Sequence, residues 1–199
     1  MPSPSAVRHV EGFILAGGKS SRFGSDKALA IWDGRPLLAY SMTALNDLML
    51  IPRVVCRDPL PYFEWAKAFV TSERPELGPL EGLRVALKSC SEPFALLLSA
   101  DMPHVRAHHL YPFLAIIEEL ASIGPNASNT AAVFKSADGI RHPFPGLYPR
   151  SALPVIESLA PGSSLQALLD RISLRELDPD PEILSALRGV NTPSDLQSL

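Results

Sequence analysis

Cysteine is scarce in this chain, with two in 199 residues, Cys56 and Cys90, widely spaced and outside any metal-binding pattern. That excludes a disulfide framework and a thiolate zinc site, and it suits a reduced, cytoplasmic protein. Long apolar runs are missing too. No stretch reaches the roughly 20 apolar residues needed to span a bilayer. The start of the chain has neither a basic region followed by an apolar core nor a small-residue cleavage site, so neither membrane insertion nor secretion is expected. Positive charge is also short: 18 Lys and Arg against 21 Asp and Glu leave a formal charge of −3. Such a surface has no footprint for a polyanion, so nucleic acid is not an expected partner, and any bound phosphate must be held by local groups.

What is present is 46% hydrophobic and 20% charged residues, the balance of a soluble globular protein. The length suits a single domain over residues 1–199, with 1–10 read as a flexible extension. Residues 13–16 form a short apolar run between Gly12 and Gly17-Gly18, the pattern of a buried strand. Asp33-Gly34 predicts a hairpin turn after a strand over 29–32, and Pro36 suits the first turn of a helix reaching about residue 48. Further strands are expected over 53–57, 94–100, 131–135 and 144–148, and helices over 61–69, 79–90, 106–122, 151–159 and 164–171. The run FALLLSA at 94–100 has no alternation, which marks a strand covered on both faces. Strands alternating with helices predict an α/β fold with a mostly parallel sheet and ligands at the carboxyl ends of its strands.

Two loops lie at that edge, one after Ala16 and one after Ala100. The first is rich in glycine and lysine, yet it fails the P-loop pattern, because Gly12 stands one place too early for Gly, four residues, then Gly-Lys-Ser. It also lacks Gly-x-Gly-x-x-Gly, so no dinucleotide fingerprint is present. What remains is a strand opening on two glycines, then Lys19, Arg22, Gly24 and Lys27. Adjacent glycines let backbone N–H groups approach a polyphosphate, and the cations can oppose its charge. A surface loop with solvated charges is the plain alternative.

The stretch LAGGKSSRFGSDK, residues 15–27, resembles the signature LAGGxSxRxGxDK of molybdenum cofactor guanylyltransferases, the MobA family. GPLEG at 78–82, SADMP at 99–103, His142-Pro143 and NTPSDL at 191–196 match in the same order, so the resemblance runs over nearly the whole chain. It implies a three-layer, Rossmann-like nucleotidyltransferase fold. It also implies Mg²⁺-dependent transfer of GMP from GTP to molybdopterin, with release of pyrophosphate. Proteins that deliver molybdopterin and enzymes that receive the product would be the partners.

By that resemblance Lys27 contacts the phosphate undergoing substitution and Arg22 faces the leaving pyrophosphate. Leu15, Ala16, Gly17 and Gly18 would bind the nucleotide, with Glu73 where the family carries an Asp. Asp101, after the apolar strand, would hold Mg²⁺, which takes few protein carboxylates beside phosphate oxygens. An Asp in that place also reads as a helix cap. His142 and Asn191 would approach the acceptor, although Thr192-Pro193 reads equally as a local helix start. His104, His108 and His109 lack a metal-site pattern and read as solvated helix histidines.

The chain departs from the family at Glu73, at Cys56 in place of a nucleotide-contacting Asn, and at Gly189 in place of the first Asn of Asn-x-Asn-Thr-Pro. These changes bear on base and acceptor recognition more than on phosphate chemistry. A cytidylyltransferase on the same scaffold and a non-catalytic nucleotide-binding module are the rival readings, and Gly17, where those relatives more often carry Ala, favours guanine.

Overall fold

The computed structural model describes residues 4–16, 26–123 and 129–197. Helix α1 (Pro4–Val7) leads into strand β1 (Val10–Leu15). The hairpin β2 (Ile31–Trp32) and β3 (Arg35–Pro36) precedes α2 (Leu37–Asn46), β4 (Arg53–Cys56), β5 (Phe69–Thr71), α3 (Pro79–Ser89) and β6 (Phe94–Ser99). Then follow α4 (Tyr111–Ile123), β7 (Thr130–Lys135), β8 (Arg141–Pro149), α5 (Leu153–Ser158), α6 (Leu165–Leu169), β9 (Ser173–Leu177), α7 (Pro181–Ala186) and α8 (Pro193–Gln197). Residues 4–10 are not an appendage: Ala6 is buried, α1 packs on α4, and Val10 already pairs with Phe94.

The seven-stranded sheet has the order β5-β4-β1-β6-β8-β7-β9. Only β8 runs against its neighbours β6 and β7; the other pairs are parallel. This is the mostly parallel α/β sheet expected from the sequence. Successive residues of the central strands feed opposite cores, as the period of two requires. Ile14, Val54, Leu96, Leu98, Ala132 and Phe134 join one cluster, and Phe13, Val55, Ala95, Leu97, Ala131 and Val133 join the other. Leu96, Leu97 and Leu98 are fully buried, each worth about 1.5–3 kcal/mol relative to exposure. That double coverage is why the segment shows no polar alternation. Among the described residues, no helix is long and apolar enough to cross a membrane.

Three local outcomes depart from expectation. Residues 61–69 are not a helix; a 3-10 turn (Leu60–Tyr62) and β5 occupy that part of the chain. Strand β9 was not anticipated, because its side chains are largely exposed and, among the described residues, it pairs along one edge alone, with β7. Pro36 ends β3 and caps α2 instead of opening its first turn. The hairpin turn is as anticipated: Asp33 and Gly34 both have positive φ, 46° and 73°, as a two-residue type I′ connection needs.

Candidate active site

Strands β1 and β6 lie side by side, with Leu15 in register with Ser99. Past the ends of both, Ala16 N–H donates to Val55 O at 2.9 Å and Ala100 N–H donates to Leu15 O at 3.0 Å. The pairing therefore carries one residue beyond each strand and delivers Asp101 to the sheet's carboxyl edge. Asp26 starts a 3-10 turn (Lys27–Leu29), its carboxylate accepting from Ala28 N–H, and Ala28 is buried in the core beneath. That turn directs Lys27 to the same edge, where its Nζ donates to Asp101 Oδ2 in an ion pair. The side chains are 24% and 16% exposed, screened yet open to a ligand.

The carboxyl-terminal segment closes on the same point. Val190 N–H donates to Asp101 O at 2.9 Å, which brings Asn191 next to the pair. Gly189 lies against the Asp101 carboxylate, and a side chain there would start 3.6 Å from Oδ1. Asn191 N–H and Thr192 N–H both donate to Asp195 Oδ2, while Asp195 N–H donates to Thr192 Oγ1. This is the expected helix start at Thr192-Pro193. Those donors hold the Asp195 carboxyl below its ordinary range, with nearby Lys27 adding to the effect.

Lys27, Asp101, Leu15, Ala16 and Asn191 thus gather at one edge. Glu73 stands beyond β5, exposed, on an open groove of about 610 Å³ that it shares with Arg74, Arg84 and Lys88. His142 is the second residue of β8, its Nε2 3.2 Å from Ser136 Oγ, and burial lowers its pKa. Arg22, Gly17 and Gly18, with Lys19 and Gly24, lie outside the described residues. Cys56 is a core residue, 3% exposed, packed in the same cluster as Ala28 and Tyr62. Burial and the carboxylates of Asp58 and Asp26 push its thiol up to about 11, so it is neutral and apolar in character.

Two groups sometimes expected of a strand end are already used here. The Leu15 carbonyl and the Ala16 N–H are consumed by the sheet, whereas the Ala16 carbonyl has no partner among the described residues. Helix α3 crosses Leu15 closely: a Cβ on Gly82 would sit 2.8 Å from Leu15 Cδ2, so a larger residue there would force the Leu15 side chain to shift.

Two places among the described residues bear on metal ligation. Among the described residues, His108, His109 and Glu182 have ligand atoms within 4.8 Å of one another. His109 is buried rather than solvated, and its Nδ1 accepts from Arg106 N–H at 3.1 Å. A neutral ring accepting at Nδ1 carries its proton on Nε2. That nitrogen then donates to Glu182 Oε1 at 3.3 Å and has no lone pair for a cation. The trio is a hydrogen-bonded clamp between α7 and the 3-10 turn Ala107–Leu110. Asp101 is different: it is a hard oxygen donor at the strand end, and its Oδ1 accepts no hydrogen bond from a described residue. Such a donor fits a cation that is bound by one or two carboxylates and otherwise by water and phosphate.

Sequence reading missed two features of this site, the bond from Tyr62 to Asp26 and the Val190 tie to Asp101. Asp26 stood in plain view within the opening motif; nothing local in the sequence linked it to Tyr62.

Comparisons with known proteins agree with this fold. The family described as MobA-like NTP transferase domain matches residues 12–177. The molybdenum cofactor guanylyltransferase of Pseudomonas putida is 30% identical over 199 residues, covering 98% of this chain and 99% of that one. Its namesake in Pseudomonas fluorescens is 33% identical over 124 residues, 61% of this chain and 60% of the other. The crystal structure of molybdopterin-guanine dinucleotide biosynthesis protein A from Archaeoglobus fulgidus superposes with a TM-score of 0.73 at 21% identity, covering 94% and 95% of the two chains. Sheet order, the edge where Lys27 meets Asp101, and these likenesses converge: the chain belongs to the MobA-like NTP transferase family.

Proposed function

We propose that this protein is a nucleotidyltransferase that moves GMP from GTP to molybdopterin, yielding the guanine dinucleotide cofactor and pyrophosphate. The observation that supports it most is the meeting of Lys27 and Asp101, a cation and a carboxylate brought from different loops to the sheet edge that receives nucleotides in folds of this kind. The names of the full-length relatives supply the substrates in this reading. Both substrates are small metabolites, and the protein would act on them in the cytoplasm between molybdopterin delivery and the recipient enzymes.

An oxygen of the acceptor's terminal phosphate attacks the α-phosphorus of GTP, the bond from that phosphorus to the bridging oxygen breaks, and pyrophosphate leaves. A phosphate monoester with a second pKa of about 6 is largely dianionic at neutral pH, so the attack needs no general base. Catalysis is then positioning and charge neutralisation. Lys27 places an ammonium beside the reacting phosphate, having held Asp101 as its counter-ion beforehand. The Ala16 carbonyl can accept from the donor edge of guanine. Asp101 would hold Mg²⁺, the form of divalent metal use that nucleotidyltransferases share, and the ion when bound neutralises triphosphate charge. Asn191, beside Asp101, would face the acceptor, and Arg22 the departing pyrophosphate.

The test is to incubate the protein with molybdopterin, Mg²⁺ and each nucleoside triphosphate in turn and to weigh the products by mass spectrometry. A guanine dinucleotide with equimolar pyrophosphate is expected. A cytidine adduct would correct the base, and no adduct with any triphosphate would overturn the reading.

A further inference from the structure

The buried hydroxyl of Tyr62 reaches the opening motif from outside it, at Asp26. Tyr62 is 2% exposed and stands at the end of the 3-10 turn Leu60–Tyr62, where its carbonyl accepts both Trp65 N–H and Ala66 N–H. The ring is therefore fixed by packing and its backbone by hydrogen bonds. Its hydroxyl donates to Asp26 Oδ2, across 36 residues, while Asp26 Oδ1 accepts Ala28 N–H at 3.0 Å. Both oxygens of Asp26 are thereby engaged, and the residues on either side of Lys27 are tied down. Burial and the Asp26 carboxylate push the Tyr62 hydroxyl far above its ordinary range, so it remains a donor throughout the working pH.

We infer that Tyr62 is a positioning residue for Lys27, acting through Asp26, an inference that rests on the nucleotidyl transfer proposed above. Its role is twofold. It anchors the turn that aims Lys27 at the sheet edge, and it occupies a carboxylate that is adjacent in sequence to that lysine. With the hydroxyl gone, Asp26 Oδ2 is left to pair with Lys27 and to compete with Asp101 and the triphosphate for the ammonium. Displacement of a reacting group by about 1 Å costs on the order of 10²-fold in rate, and a competing counter-ion adds to that. The loss falls on kcat, because GTP is gripped at other points in the ground state.

Tyr62→Phe keeps the buried ring and removes only the hydroxyl. The expected result is a kcat lower by about 10-fold or more, with KM for GTP changed by less than a factor of about 2. Adding Asp26→Asn should restore most of the lost rate: the amide oxygen still accepts Ala28 N–H, and a neutral group cannot trap Lys27. A merely structural tyrosine would not be rescued in this way. Thermal unfolding of each variant shows that the fold is retained. Unchanged kcat in Tyr62→Phe, or a loss that Asp26→Asn leaves in place, overturns the inference while an active parent protein preserves the function reading. A parent protein inactive with every triphosphate sinks that reading and the inference with it.

Discussion

Lys27 and Asp101, 74 residues apart in the chain, form an ion pair beyond the carboxyl ends of β1 and β6. Both side chains keep some exposure, so the pair contributes at most about 1 kcal/mol to stability. In the proposed reaction it would hold a cation and a carboxylate where a triphosphate arrives. Asp101→Asn keeps the shape and removes the charge. Pyrophosphate release should fall by about 10²–10³-fold, the usual effect of losing a group that stabilises developing charge, while urea unfolding shifts by no more than about 1 kcal/mol. Equal losses in rate and stability would mean that the pair is a structural tie only.

Gly82→Ala tests the approach of α3 to Leu15. The new methyl would meet Leu15 Cδ2 at 2.8 Å. Overpacking of this kind costs about 1–3 kcal/mol, against a helix-propensity gain of about 1 kcal/mol from removing a glycine. A net loss of stability is expected, and because Leu15 precedes the Ala16 carbonyl, KM for GTP should rise about fivefold, equivalent to roughly 1 kcal/mol of binding. Unaltered GTP affinity would separate this helix contact from nucleotide recognition.

The thiols offer a pH-dependent check. Cys56 and Cys90 are both buried, and burial pushes each thiol up to about 11. The thiolate is the reactive form. At pH 8 the native protein should therefore resist a thiol reagent such as dithionitrobenzoate, and both cysteines should react at once after unfolding in guanidinium. Rapid labelling of Cys56 in the native state would place it at an open nucleotide site instead of in the core.

His109 ties α7 to the rest of the fold through Glu182. Burial is the main cause of its lowered pKa, and the folded protein therefore binds this proton less readily than the unfolded chain, whose imidazole titrates near 6.5. Unfolded protein takes up more protons below that pH, so the stability from neutral His109 is complete above it and is lost as pH falls. His104 and His142 shift the same way, also through burial. Thermal midpoints should drop between pH 7 and pH 5, and His109→Asn, which keeps an acceptor for Arg106 N–H, should flatten that slope. An unchanged slope would remove His109 as a source of it.

Legibility in the sequence followed local chemistry. FALLLSA announced β6 because both of its faces are covered, and Asp33-Gly34 announced the hairpin because positive φ has few suitable residues. Strand β9 left no comparable mark, since an edge strand with Arg175 and Glu176 on show has no hydrophobic face to repeat. Residues 61–69 carry helix-compatible apolar spacing, yet Phe69 is claimed by pairing with Val54, a tertiary preference that no window of sequence contains. At the site, Lys27 and Asp101 were visible as motif residues. Tyr62, the partner of Asp26, was hidden in the segment read as a helix, and the role of Val190 is a backbone contact to which side-chain identity is blind.

In the proposed reaction one triphosphate is processed between Lys27 and Asp101. Single-turnover release of pyrophosphate from GTP in the presence of molybdopterin and Mg²⁺, compared for the parent protein, Lys27→Ala, Asp101→Asn and the double variant, tests it most directly. A severe loss is expected in each single variant and little further loss in the double, because in the proposed reaction the two groups serve the same transition state. Pyrophosphate release that persists at the parent rate in either single variant would contradict it.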